Sequence, residues 1–199
     1  MQEMKLRPLM KTSKVKPTIT YTSIKSGKPI FIESFSEMIY AMLLDQRPSV
    51  AFFESQPQSF ELELNNKKRR YTPDFHVVDK NGLSSYIEVK GSHYNASSDE
   101  LEKFQYLRSC FERIGTSFHV ALVDTLSHQA KNVMFLHRYK HFDHLLIKDT
   151  IPCFSGTLEH LFNKGLSKSQ ISSLYSAMAR GEISYQCNVK IGPKLEVLW

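Results

Sequence analysis

The stretch from Tyr71 to Lys90, YTPDFHVVDKNGLSSYIEVK, decides the fold. Pro73 suits the start of a strand, where its missing N–H costs least. From Asp74 to Val78 the residues alternate, so Phe75 and Val77 share one face while Asp74, His76 and Val78 share the other. Asp79-Lys-Asn-Gly82 is a turn signal, because Asn-Gly accepts the positive φ angles of a type I′ hairpin. Tyr86 to Lys90 is the second strand, with Ile87 and Val89 inward and Tyr86, Glu88 and Lys90 opposite. Closing the hairpin about Asn81 sets Asp74 beside Glu88 or Val89. Two carboxylates and an ammonium then meet at the end away from the turn.

Upstream, Lys67-Lys-Arg-Arg70 belongs to a loop leading into this hairpin, and Phe60, Leu62 and Leu64 alternate with Glu61 and Glu63 as a strand. Before it, Phe35, Met38, Ile39 and Met42 have the i, i+3, i+4, i+7 spacing of an amphipathic helix closed by Pro48. Ser34-x-x-Glu37 fits a capping box at its start. Downstream, Ser97-x-x-Glu100 opens a helix with Leu101, Phe104, Leu107 and Phe111 on one face, stopping at Gly115. Phe118 to Val123 is a further strand. This order predicts an α/β fold, a mixed sheet flanked by helices, over residues 30–125.

Residues 1–29, rich in Lys, Thr and Ser, read as a basic N-terminal arm with a short strand within Thr18 to Ile24. Composition shifts after Asp124, and 126–199 form a separate small domain. There Asn132 to His144 reads as a helix, and Thr157–Asn163 with Ser167–Arg180 as a helix-turn-helix. Ile171, Leu174, Tyr175 and Met178 make the inward stripe of its second helix, and Ile183 to Trp199 a hairpin wing.

A formal charge of +6 suits an anionic partner, nucleic acid first. Three widely spaced cysteines, Cys110, Cys153 and Cys187, read as reduced thiols, and no apolar run reaches the roughly 18 residues of a membrane helix. A cytoplasmic protein without membrane contact is expected.

Phosphodiester hydrolysis needs an activated water and a counter-charge for the phosphoryl oxygens. Mg²⁺ supplies both, with Mn²⁺ able to substitute, and takes a few hard oxygen ligands. Asp74, Glu88 and the carbonyl of Val89 are such ligands, and Lys90 would orient water or offset developing charge. A cross-strand salt bridge on a solvated face equally accounts for Glu88 and Lys90. Glu37 is the third carboxylate by reach from the first helix, although capping alone explains it; Glu33 is the fallback. Lys67, Lys68, Arg69 and Arg70 are candidate phosphate contacts. His137, His141 and His144 have a zinc-compatible spacing without a fourth ligand nearby, and His76 and His93 flank the carboxylates.

Through Pro73-Asp74 and Glu88-Val89-Lys90 the chain resembles the PD-(D/E)xK nuclease superfamily. More narrowly it resembles the TnsA family of transposon endonucleases. Ser36-Glu37, Leu43-Leu44, Pro48-Ser-Val50, Gln56-Pro57, Tyr71–Phe75 and Ile87–Lys90 carry this likeness over roughly residues 31–125. The resemblance implies a restriction-endonuclease-like domain with Glu37, Asp74, Glu88 and Lys90 as catalytic residues, Glu37 included. It also implies a winged-helix-like C-terminal domain, with Tyr175–Ile183 as its helix end. The implied activity is bacterial: Mg²⁺-dependent cleavage of the 5′ ends of a transposon, CRISPR-associated elements included. The implied partners are a TnsB-like transposase and a TnsC-like AAA+ ATPase. A stand-alone restriction or junction-resolving nuclease, and a non-catalytic DNA-binding adaptor, are the alternatives.

Overall fold

The computed structural model describes residues 19–64 and 67–199, and of Glu63, Leu64 and Lys67 the backbone only. Its contacts divide into two units. One holds the described residues up to Met38 together with Ser49–Val123, and the other Ile39–Pro48 with Asp124–Trp199.

In the first unit, β1 (Ile19–Thr22) pairs antiparallel with β2 (Pro29–Ile32). Residues 19–29 of the expected arm therefore carry a strand, with Tyr21 buried; the rest of the arm lies outside the described residues. The first turn of α1 (Phe35–Gln46) follows. Phe35, expected inward, is exposed.

The main sheet runs β3 (Val50–Ser55), β6 (Phe75–Asp79), β7 (Ser84–Gly91), β8 (Ser117–Val123). The first three are mutually antiparallel and β7 with β8 is parallel, so the sheet is mixed. A parallel neighbour needs a crossover, which α2 (Ser98–Arg113) supplies. The Ser97 capping box starts α2. A Schellman turn ends it: Gly115 at φ 76° and Thr116 donating to the Phe111 carbonyl at 3.0 Å. Leu101, expected inward, is exposed, and Cys110 takes a buried place instead. Covered on both faces, β7 buries four consecutive residues, Tyr86 to Val89, rather than alternating.

The hairpin turn is not type I′, because Gly82 alone has positive φ (81°) while Asn81 does not. Gly82 N–H reaches the Asp79 carbonyl at 3.0 Å, and the Asp79 carboxylate accepts from Asn81 and Leu83 N–H, both at 2.8 Å. Those two bonds favour a type I turn followed by a left-handed glycine, a three-residue loop. Nor is the basic run a loop. Lys67–Tyr71 is strand β5, paired with β4 (Phe60–Leu64) so that Arg70 faces Glu61 and Lys68 faces Glu63. The charge of Glu61, which bonds Lys68 at 3.1 Å across the ladder, helps allow a strand where four like charges in a row argue against one.

Phe60, Leu62 and Tyr71 of this two-stranded ribbon bury with Tyr86, Phe118 and the apolar stripe of α2. Phe111 stacks on Tyr86 at 4.6 Å and on Phe118 at 5.7 Å, with Phe60 edge-on at 4.9 Å. Glu88 stands on the Tyr86 face of β7, two residues on.

The second unit includes the remainder of α1, and then α3 (His128–His137), α4 (Leu146–Thr150), β9 (Ser155–Thr157), α5 (Leu158–Phe162), α6 (Lys168–Ala179), β10 (Ser184–Tyr185) and β11 (Glu196–Leu198). Its sheet order is β10-β11-β9, antiparallel throughout. Leu136, Ile147, Leu158, Leu161, Leu174, Met178 and Val197 make the core. Helix α3 stops at His137, so His137, His141 and His144 share no helical face; His144 instead pairs with Glu182 at 3.0 Å.

Candidate catalytic site

The register of β6 and β7 places Asp74, one residue before β6, opposite Glu88: Phe75 pairs with Ile87, and Asp74 N–H donates to the Ile87 carbonyl at 3.0 Å. The Asp74 carboxylate turns along the edge of β7, where Oδ2 accepts Val89 N–H at 2.6 Å. A strand residue directs its N–H and C=O to the same edge, so the Val89 carbonyl faces the Asp74 side rather than β8. Glu88 is 7% exposed and holds two donors, Lys90 Nζ at 2.7 Å on Oε1 and the Tyr71 hydroxyl at 2.6 Å on Oε2.

These contacts set the charges. Burial, and next the neighbouring Glu88, push Asp74 from 3.8 up to about 7, against the opposing Val89 N–H; Glu37 adds to the rise and Lys90 opposes it. Burial pulls the Lys90 ammonium down, but Glu88, Asp74 and Glu100 together hold it above its ordinary value. Lys90 also stands 5.5 Å over the Tyr94 ring. The centre thus combines a carboxyl with a raised pKa, a carboxylate that accepts two hydrogen bonds and a neighbouring ammonium.

Glu37 lies within electrostatic reach of Asp74 and is buried at 8% exposure. Its oxygens also cap α1: Oε1 accepts the Ser34 hydroxyl at 2.7 Å and Oε2 accepts Glu33 N–H at 3.0 Å. The capping role and the proximity to Asp74 therefore coexist in one side chain. Glu33 is exposed.

Among the described residues, no group of three or more His, Cys, Asp or Glu is disposed to hold a metal ion. The pair that is present, Asp74 and Glu88 with the Val89 carbonyl, fits Mg²⁺, which uses one or two carboxylates and completes its shell with water and phosphate. The raised Asp74 supports that fit, since two close buried carboxylates are what a cation would relieve.

Of the basic run, Lys68 pairs with Glu61 at 3.1 Å and Arg70 donates to the Ser59 hydroxyl at 3.0 Å. Arg69 is exposed and lies opposite Leu62. The Lys67 side chain lies outside the described residues. His76 stacks on Tyr86 at 4.8 Å and bonds Ser84 at 2.7 Å, a hydrogen-bonding role.

The roles of two residues at the site do not follow from the sequence pattern. Tyr71 bonds Glu88, which follows only once β5 is known to be a strand. Gln56 has a φ of 43° and donates its N–H to the Asp74 carbonyl at 2.7 Å. A left-handed non-glycine residue before proline stores strain beside the site. Its only sequence signal is the Gln-Pro pair.

The fold and site define an α/β protein with a carboxylate–lysine centre on the inner hairpin of a mixed sheet. A family model described as TnsA-like endonuclease N terminal matches residues 47–122, from the end of α1 through β8. That span contains Asp74, Glu88 and Lys90 and leaves Glu37 outside. No curated protein matches the chain. Among the described residues, no helix is long and apolar enough to cross a membrane.

Proposed function

We propose that this chain is a Mg²⁺-dependent DNA endonuclease of a heteromeric transposase, cleaving the non-transferred strand at the 5′ ends of a transposon. The observation that carries the reading is the Asp74–Glu88–Lys90 centre inside the segment matched by the TnsA-like endonuclease model. The mixed sheet between helices supports a restriction-endonuclease-like domain. The α-β-α-α-β-β order from α4 to β11, with the last strand central in its sheet, supports a winged-helix-like second domain. Such a domain offers a surface for transposon-end DNA or for a TnsB-like transposase and a TnsC-like ATPase.

When bound, Mg²⁺ would lower the pKa of a coordinated water and offset charge on the phosphoryl group. Asp74, Glu88 and the Val89 carbonyl would hold the ion, with Glu37 as the outer carboxylate. Lys90, hydrogen-bonded to Glu88 Oε1, would present an ammonium to the attacking water or the scissile phosphate. The test is cleavage of a plasmid carrying the element's ends, with Mg²⁺ and the partner transposase. Lys90→Ala should lower 5′-end cleavage by about a hundredfold or more while partner assembly persists. Unchanged cutting would favour the adaptor reading, and robust cutting by the protein alone would favour the stand-alone nuclease.

The charge pairing in the β4–β5 ribbon grades the DNA contacts. Lys68 is already ion-paired with Glu61 at 3.1 Å, whereas Arg69 has an apolar residue opposite. Arg69→Ala is expected to reduce the salt slope of DNA binding by about one, the share of one phosphate contact. Lys68→Ala should change it less. Filter binding across a salt series reads both, and the reverse order would refute this assignment.

A further inference from the structure

Glu88 is held by two donors of very different stiffness. Lys90 is a flexible side chain, 28% exposed, that fixes Oε1 alone. The terminal torsion of a glutamate is soft and roughly two-fold, so one contact leaves the carboxylate plane free to turn. The second donor comes from a different element. Tyr71, at the end of β5, is 7% exposed; its ring packs edge-on against Phe118 at 6.1 Å, and Lys103 Nζ stands 4.9 Å over its face. A phenol carries a single O–H, and this one is spent on Glu88 Oε2 at 2.6 Å.

Resting on the reading of Asp74 and Glu88 as ion ligands, we propose that Tyr71 is a positioning residue that locks the Glu88 carboxylate plane for divalent-cation binding. An ionised carboxylate has about four lone-pair sites. Tyr71 and Lys90 take one on each oxygen, leaving one on each for a cation. The residue immediately before Tyr71 belongs to the basic run, so one strand carries both that run and the donor that orients the ligand.

The experiment uses Tyr71→Phe, which keeps the ring and removes only the hydroxyl. Mn²⁺ binding by the full chain is measured calorimetrically in the absence of DNA, beside wild type and Asp74→Ala. The Mn²⁺ dissociation constant of Tyr71→Phe should rise by about 10- to 100-fold, the cost of losing an outer-shell partner. In cleavage assays the Mg²⁺ concentration for half-maximal rate should rise in parallel, with most of the maximal rate recovered at saturating Mg²⁺. A merely structural lesion would instead lower the maximal rate and the melting temperature without moving the Mg²⁺ requirement. Wild-type Mn²⁺ affinity in Tyr71→Phe overturns the proposal, as does loss of its folded structure, since the hydroxyl would then be holding the fold. If Asp74→Ala also binds Mn²⁺ like wild type, the ligand assignment beneath it fails instead.

Discussion

Asp74→Asn is expected to abolish the proposed metal-dependent cleavage, by roughly a thousandfold or more, and at the same time to stabilise the metal-free protein at pH 8. The two effects share one cause. Asn keeps an acceptor for Val89 N–H, the 2.6 Å bond that anchors the side chain, so local geometry is preserved. It removes a charge that burial and Glu88 oppose, which is why Asp74 protonates at about 7 instead of 3.8. A carboxyl whose folded pKa exceeds its unfolded pKa binds its proton more tightly when folded. Its contribution is therefore full below about pH 4 and is lost as pH rises toward 7. Asn has no proton to lose, so the variant should exceed wild type by on the order of 4 kcal/mol above pH 7, with the gap closing near pH 4. Mg²⁺ should reverse the ranking, because a ligand bound only by the folded wild type stabilises it by mass action. Thermal melts in chelator and in Mg²⁺, at pH 4.5 and pH 8, check all three statements. A variant less stable than wild type at pH 8 in chelator would mean that Asp74 is not under the strain described.

The centre was legible in the sequence because it depends on register alone. Pro73, the alternation on either side and the Asn-Gly turn fix which residues face one another, and those features are local. The turn type was misread without harm: a two-residue and a three-residue loop around Asn81 both bring Asp74 to the Glu88–Val89 step. The basic ribbon was not legible, since Lys67–Arg70 is a strand by pairing with β4, whose Glu61 bonds Lys68, a pairing outside any local window. Tyr71 was hidden for the same reason. Leu101 and Phe35 were placed inward by spacing but lie exposed, because spacing gives a stripe and not its extent. Helix α1 shows the limit from the other side. Ile39 to Met42 are all buried, so no periodic contrast marks which face matters.

Gly181→Ala should be the most destabilising small change in the second unit, and Gly115→Ala is its control. Both glycines occupy the same place in the same motif, the left-handed residue after a helix, at φ 70° and 76°. Each is followed by an N–H returning to the last turn, Glu182 to the Ala177 carbonyl at 2.9 Å and Thr116 to the Phe111 carbonyl at 3.0 Å. A β-carbon at Gly115 would meet nothing within 4 Å, so alanine there costs only the left-handed backbone, about 1 kcal/mol. At Gly181 the same carbon would fall 1.7 Å from the Gln46 carbonyl oxygen and 2.8 Å from its carbon. Gln46 cannot easily withdraw. Its side chain donates to the Met178 carbonyl at 3.3 Å and accepts from the Tyr185 hydroxyl at 3.0 Å, so it is tied to both sides of the cap. Overpacking against held backbone adds a further few kcal/mol, for a total on the order of 3–5 kcal/mol and a melting temperature lower by about 10 °C. Thermal unfolding of the two variants in parallel isolates the close approach, because the backbone cost cancels between them. Equal losses at the two positions would show that the carbonyl of Gln46 does not stand where the packing of α6 requires it.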